Sequence, residues 1–186
     1  MPQTSRRNLL LLLIGPEAEG LGGMTRLQKL LFLLEREEGL TPTEGGSEFE
    51  AYKAGPYSAQ LYDDLEFLEN LGYLEADVTA EASEAEAAEI DRLSFDHLMS
   101  NEQSEAETPD SFEERRFRLS DEGRRRVEEL LKSGEFKPLA DKIRRVKSKY
   151  GKFSLNDLLY HVYTKYPEMT TESEIRDKVL RRGQHR

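Results

Sequence analysis

Apolar positions along the chain recur mostly at helical spacing, with alternation confined to short stretches. Leu9 to Ile14 is an unbroken run of six behind Ser5-Arg6-Arg7-Asn8, which predicts a first helix capped by Ser5 and buried on all sides. Thr25-x-x-Gln28 has the form of a capping box, and Leu27, Leu30, Leu31 and Leu34 then give one apolar face. Gly39 to Pro42 stops that helix. Phe49 to Tyr52 alternates like a short edge strand, and Gly55-Pro56 reads as a turn opening a third helix from about Tyr57 to Leu71. Its inward face is Tyr57, Leu61, Leu65 and Leu68.

Gly72 then ends a helix and Tyr73-Leu74 enters a strand. Arg115 to Leu119 alternates as the returning strand of a hairpin, with Tyr73–Ala76 expected opposite Arg116–Leu119. Ser120 caps a further helix with Val127, Leu130 and Leu131 as its apolar face and Asp121 and Glu122 at its positive end. Beyond it, Ile143, Val146 and Tyr150 form an apolar stripe beside a basic one of Lys142, Arg145 and Lys149. Ser154 caps a segment carrying Leu155, Leu158, Leu159 and Val162, and Thr171-x-x-Glu174 is a second capping-box pattern before Ile175, Val179 and Leu180.

The predicted fold is mainly α with a small β-hairpin (α+β), a winged helix-turn-helix with a C-terminal helical extension. The winged-helix domain covers 5–132 and the extension 136–182. Within the first unit, 77–114 is dominated by Glu, Ala, Ser and Thr and reads as a disordered acidic insert in the wing. One apolar island, Ile90 to Met99, interrupts it.

Charge sharpens this picture. The 186 residues sum to a formal −10, yet Glu75 to Glu114 alone holds fourteen acids and one base, Arg92. The remainder of the chain is therefore mildly basic. Lys137 to Lys152 holds seven bases against Asp141 alone. With no cysteine, disulfides, thiolate metal sites and cysteine nucleophiles are excluded. The twin arginines before the leucines resemble an export signal, but the apolar run is shorter than such signals use, so a cytoplasmic first helix is the better reading. No run reaches the ~18 apolar residues of a membrane span.

Catalytic patterns are sparse. His97, His161 and His185 lack ligand-spaced partners, and the glycine pairs at 22–23 and 45–46 match no phosphate-binding loop. The expectation is a protein that is not an enzyme, with no metal and no cofactor.

Two sets of residues resemble known families. Arg26 to Leu33 (RLQKLLFL) followed by Phe49 to Ser58 (FEAYKAGPYS) is similar to the signature of the Panacea (SocA-like antitoxin) domain and of a group of bacterial and archaeal winged-helix proteins with a GPYS turn. Gly72-Tyr73-Leu74 with Leu119 to Gly123 resembles the second group more closely. The resemblance covers about residues 5 to 132 and implies a winged helix. Panacea domains neutralise toxins as protein-binding modules, whereas winged helices as a class mostly bind DNA.

Two functions follow as expectations. The first is a non-catalytic DNA-associated transcription regulator, working as a homodimer, that contacts phosphates through Arg115, Arg116, Arg118, Lys142, Arg145 and Lys149. In it the third helix would present Tyr57, Ser58 and Gln60 near Lys53, although Asp63, Asp64, Glu66 and Glu69 on the same helix repel phosphate. The alternative is an antitoxin-like module that binds a protein partner, such as a toxin, through the Phe49 to Leu71 surface, with Tyr57 and Phe67 as contacts.

Overall fold

A helix whose apolar residues are continuous must be covered on every side, and α1 (Pro2–Ile14) is: Leu9 to Ile14 are all buried. The structure, a computed structural model, describes residues 2–15, 20–41, 46–79 and 114–183. The insert's ends, 77–79 and 114, are paired strand; 80–113, which includes the 90–99 island and His97, lies outside the described residues. Helix α1 begins at Pro2, so Ser5 lies inside it and is not its cap.

After α1 come β1 (Leu21–Gly22), α2 (Met24–Glu38), β2 (Glu50–Tyr52), β3 (Gly55–Tyr57) and α3 (Gln60–Asn70). They are followed by β4 (Leu74–Thr79), β5 (Glu114–Leu119), α4 (Asp121–Lys132), α5 (Lys137–Tyr150), α6 (Leu155–Lys165), a 3-10 turn (Pro167–Thr170) and α7 (Arg176–Gly183). The architecture is mainly helical with a small antiparallel sheet. Strand order is β1-β5-β4, and β2-β3 form a separate hairpin.

The long hairpin is antiparallel as expected, with β4 starting at Leu74 and not at Tyr73. Leu74 faces Leu119, Ala76 faces Phe117 and Asp77 faces Arg116, continuing to Thr79 opposite Glu114. Pairing thus runs past residue 77, where composition alone would begin the insert. Alternation puts Leu74, Phe117 and Leu119 into the core and sends Glu75 and Arg118, which face each other across the hairpin, to the opposite side.

The core is one cluster. Leu30 and Leu34 of α2, Leu61, Leu65 and Leu68 of α3 and Val127 of α4 are buried in it together with Ile143, Tyr150, Leu158 and Val162 of the C-terminal helices. Helices α5 and α6 both pack on α2, and α5 also packs on α1.

Local chemistry departs from the sequence patterns at several points. Thr25 makes no cap: α2 starts from Gly23 with no side-chain cap bond, and Gln28 instead accepts from the Ser58 amide at 3.1 Å. Gly55-Pro56 is strand, not the first turn of α3, because the polar alternation of Glu50 to Tyr52 finds its partner immediately after a two-residue turn. Tyr57 is therefore the last residue of β3. Leu131, placed on the apolar face of α4, is 44% exposed. Thr171 and Glu174 form no box either, since Ser173 Oγ accepts from the Ile175 amide and α7 begins only at Arg176. The Ser120 and Ser154 caps do form, accepting from the amides of Gly123 and Asp157.

The family-like motifs are coupled in space. Ser120 Oγ donates to the Gly72 carbonyl at 2.5 Å, and its amide donates to Tyr73. A Cβ on Gly123 would lie 2.1 Å from the Tyr73 carbonyl oxygen, so only glycine lets the start of α4 approach β4.

Candidate interaction surface

Helix α3 carries Asp63, Asp64, Glu66 and Glu69 and no lysine or arginine. Its apolar residues at 61, 65 and 68 face inward, which turns Asp63, Glu66 and Phe67 outward. Phe67 is 39% exposed and Leu71, just past the helix end, 50%. Between α3 and the sheet lies a crevice of about 310 Å³ floored by Met24, Leu65 and Phe117 and rimmed by Asp63, Glu66 and Glu69.

Of the β5 arginines expected to meet phosphate, Arg115 lines this crevice, and Arg115 and Arg118 already face carboxylates. Arg115 makes a bidentate pair with Glu69 at 3.0 and 3.1 Å. Arg118 reaches Glu75 at 3.1 Å and Asp77 at 3.0 Å across the hairpin. Arg116 is half-buried opposite Asp77. Asp63 and Glu66 have no basic partner among the described residues. The face is net acidic.

The residues near the hairpin are placed differently from the expectation. Tyr57 and Ser58 are each 2% exposed, so neither is a surface contact for DNA or protein. Burial pushes the Tyr57 hydroxyl up to about 12. Gln60 is spent inside the fold, its Oε1 accepting from Arg6 at 3.0 Å. Lys53 sits at the hairpin turn, 3.5 Å from Glu174, and its carbonyl accepts from the Glu174 amide. At Gly55, with φ of 85°, a Cβ would stand 2.8 Å from Tyr163 Cε1. The hairpin is a joint between α2 and the C-terminal helices.

The basic stripe of α5 is likewise engaged. Arg145 pairs with Glu38 at 2.6 Å and Lys149 with Glu37 at 2.8 Å, while Lys142 is half-buried. Glu37 also accepts from Lys165 and Tyr150, both at 2.6 Å. Burial pushes its carboxyl up, but these hydrogen bonds outweigh burial and hold it down at about 2. His161 Nε2 lies 3.0 Å from the Tyr150 hydroxyl and 3.5 Å from Glu37. Burial lowers its pKa, with the Glu37 hydrogen bond opposing. This junction ties α2 to α5 and α6 through charge, and sequence spacing gives no sign of it because Glu37 and Lys165 are remote in the chain.

A second unforeseen cluster involves the twin arginines. Arg6 and Arg7 both bond Asp64, which is 1% exposed, Arg7 at 2.7 Å. The Arg7 guanidinium also lies 3.5 Å over the Phe67 ring. No group of metal-ligating side chains occurs among the described residues, and no described helix is long and apolar enough to cross a membrane. Comparison with protein-family models, with curated proteins and with solved structures finds no match to this chain.

Proposed function

We propose that the chain is a non-catalytic cytoplasmic regulator whose 5–132 unit is a winged helix extended by the helices of 136–182, and that it works by binding a protein partner. The acidity of α3 and its surroundings carries this reading. The exposed carboxylates of Asp63 and Glu66, on a helix with no base of its own and near arginines already bound to Glu69, Glu75 and Asp77, repel a phosphate backbone. Exposed Phe67 and Leu71 on the same side are the kind of apolar contact that anchors protein interfaces. The resemblance to the Panacea domain points the same way.

DNA association is the second reading. It draws on the element order α1-β1-α2-β2-β3-α3-β4-β5 with sheet order β1-β5-β4, which, the inserted β2-β3 hairpin apart, resembles that of DNA-binding winged helices, and on the low worth of exposed ion pairs. Such pairs contribute at most about 1 kcal/mol, so Arg118 or Arg145 can exchange a carboxylate for a phosphate.

A salt titration separates the two. Fluorescence anisotropy with duplex DNA, run on the full chain from low salt upward, is expected to show only weak binding that disappears near physiological ionic strength. Cross-linking from Phe67 and Leu71 is expected to trap a protein partner that the Phe67→Asp, Leu71→Asp variant fails to trap. Tight duplex binding that survives physiological salt would overturn the protein-binding reading.

A further inference from the structure

Beneath the N-terminal part of α1 lies a second cavity, of about 560 Å³, between the C-terminal end of α2 and the segment leading into β2. Arg6, Glu35, Arg36, Ser47 and Gln60 supply its polar lining, and Leu40 and Phe49 its apolar side. Its size is ordinary for a small-molecule site, and its mixture of an apolar wall with a few converging polar groups is typical of one.

Among the described residues the charge around it does not balance. Arg6 and Arg7 share the single buried carboxylate of Asp64, one oxygen each, so among the described residues here one guanidinium charge has no matching buried acid. Arg6 is 7% exposed and cannot discharge into solvent as a surface arginine does. Arg36, on the exposed rim like Glu48, adds a second guanidinium with no ion pair to a described residue. The other carboxyl inside is Glu35, which accepts from the Ser47 amide. Burial raises it to about 7 against the opposing effects of that bond and of Arg36 and Arg6, so at neutral pH it is only part-ionised. Glu48 also borders the cavity, but on its exposed rim. Ser47 Oγ is buried with no hydrogen-bond partner among the described residues.

We infer that this cavity binds a small organic oxyanion, a carboxylate or a phosphomonoester, with Arg6, Arg36 and Ser47 on the anionic group and Leu40 and Phe49 against its apolar body. An oxyanion supplies the missing charge and the acceptor that Ser47 lacks. A guanidinium is suited to it, because its planar donors match two oxygens at once. Phe49 is fixed for the task by its edge-on packing on Phe32, with centroids 5.4 Å apart. The lining of the site includes none of Asp63, Glu66 and Phe67 of the exposed α3 face, and it stands independently of whether the partner is protein or DNA.

Benzoate and phenyl phosphate serve as probes for the two anion sources, with benzylamine as the cationic counterpart. All are titrated into the full chain at constant ionic strength, with the thermal unfolding midpoint and calorimetric heat as readouts. The expected result is a saturable rise in midpoint with benzoate or phenyl phosphate and none with benzylamine, and whichever anion binds more tightly identifies the group. Arg6→Gln also breaks the bond to Asp64 and risks unfolding, so the deciding variant is Arg36→Gln, which is expected to weaken binding about tenfold. Glu128→Gln, on the exposed surface of α4, is expected to leave it unchanged. Absence of a saturable shift with both anions, an equal shift with benzylamine, or undiminished binding by Arg36→Gln would overturn the assignment.

Discussion

The ammonium of Lys29, 1% exposed, donates to the main-chain carbonyl of Pro56 at 2.9 Å. Its neighbour Gln28 takes the amide of Ser58 two residues further on. Two polar side chains of α2 thus clasp β3 and the start of the link to α3, satisfying backbone groups that burial removes from water. The RLQKLLFL and GPYS segments are two halves of one contact. Lys29→Met is expected to lower unfolding free energy by about 1–3 kcal/mol in a urea titration, because it leaves the Pro56 carbonyl without this donor. A change within error would mean that the clasp contributes nothing.

Core packing gives the most direct check on the helix faces. Leu65 is 2% exposed between α2, α3 and the sheet, so Leu65→Ala should cost about 2–5 kcal/mol. Denaturant unfolding measures it, and a loss below about 0.5 kcal/mol would place Leu65 on the surface.

How much of this was legible in the chain depends on the range of the interaction. Leu61, Leu65, Leu68 and Val127 announce their burial through spacing, and Ser120 and Ser154 cap as their position predicts, because periodicity and capping are local. Thr25 and Thr171 show the same pattern without the bond, since tertiary partners took the groups that a box would use: Gln28 turned to Ser58, and Ser173 served Ile175. The surface was harder to read. Arg6, Arg7, Arg145 and Lys149 look like solvated cations until the fold brings Asp64, Glu38 and Glu37 against them. Tyr57 reads as a recognition residue because Gly55-Pro56 has the form of a helix-opening turn, whereas it is the second strand of a hairpin whose last residue, Tyr57, is buried.

Glu35 and Glu37, two residues apart on α2, should respond oppositely to pH. Glu35 has a folded pKa of about 7, above its ordinary value of 4.5, so the folded state holds the proton more strongly than the unfolded chain. Stability from this group is present below about pH 4.5 and is lost as pH rises toward 7. Glu35→Gln, which keeps an acceptor for the Ser47 amide, is expected to raise stability by about 1–3 kcal/mol at pH 8 and by little at pH 4. Thermal scans across that range decide it. An equal effect at both ends would refute the proton linkage.

For Glu37 the sign reverses. Its folded pKa of about 2 lies below 4.5, so its contribution is complete above about pH 4.5 and falls away as pH drops toward 2. Glu37→Gln should cost about 1–3 kcal/mol at pH 7, with the deficit shrinking on acidification. Since Lys149, Lys165 and Tyr150 all bond this carboxylate, the variant should also loosen α5 and α6, read as faster amide exchange there.

Removing 80–112 strips ten acids and Arg92, which moves the formal charge from −10 to −1. The shortened chain, joined by a tight turn, should fold with nearly unchanged stability, because loop length enters closure entropy only logarithmically. If the acidic segment also screens the arginines of β5, low-salt affinity for duplex DNA should rise in this variant, and Arg118→Ala should flatten its salt dependence. Failure to fold would show that the segment carries part of the core.

The register of β4 on β5 runs unbroken to Thr79 opposite Glu114, so the chain leaves and re-enters the sheet at adjacent points about 5 Å apart. A segment anchored in that way is a detour with a common door. The same doorway accepts any independently folding unit whose own two ends lie close together, such as a fluorescent reporter, without asking the surrounding helices to move. It is equally a natural place to cut the chain and rejoin it as two complementing fragments, 1–79 and 114–186, each bringing one strand of the seam.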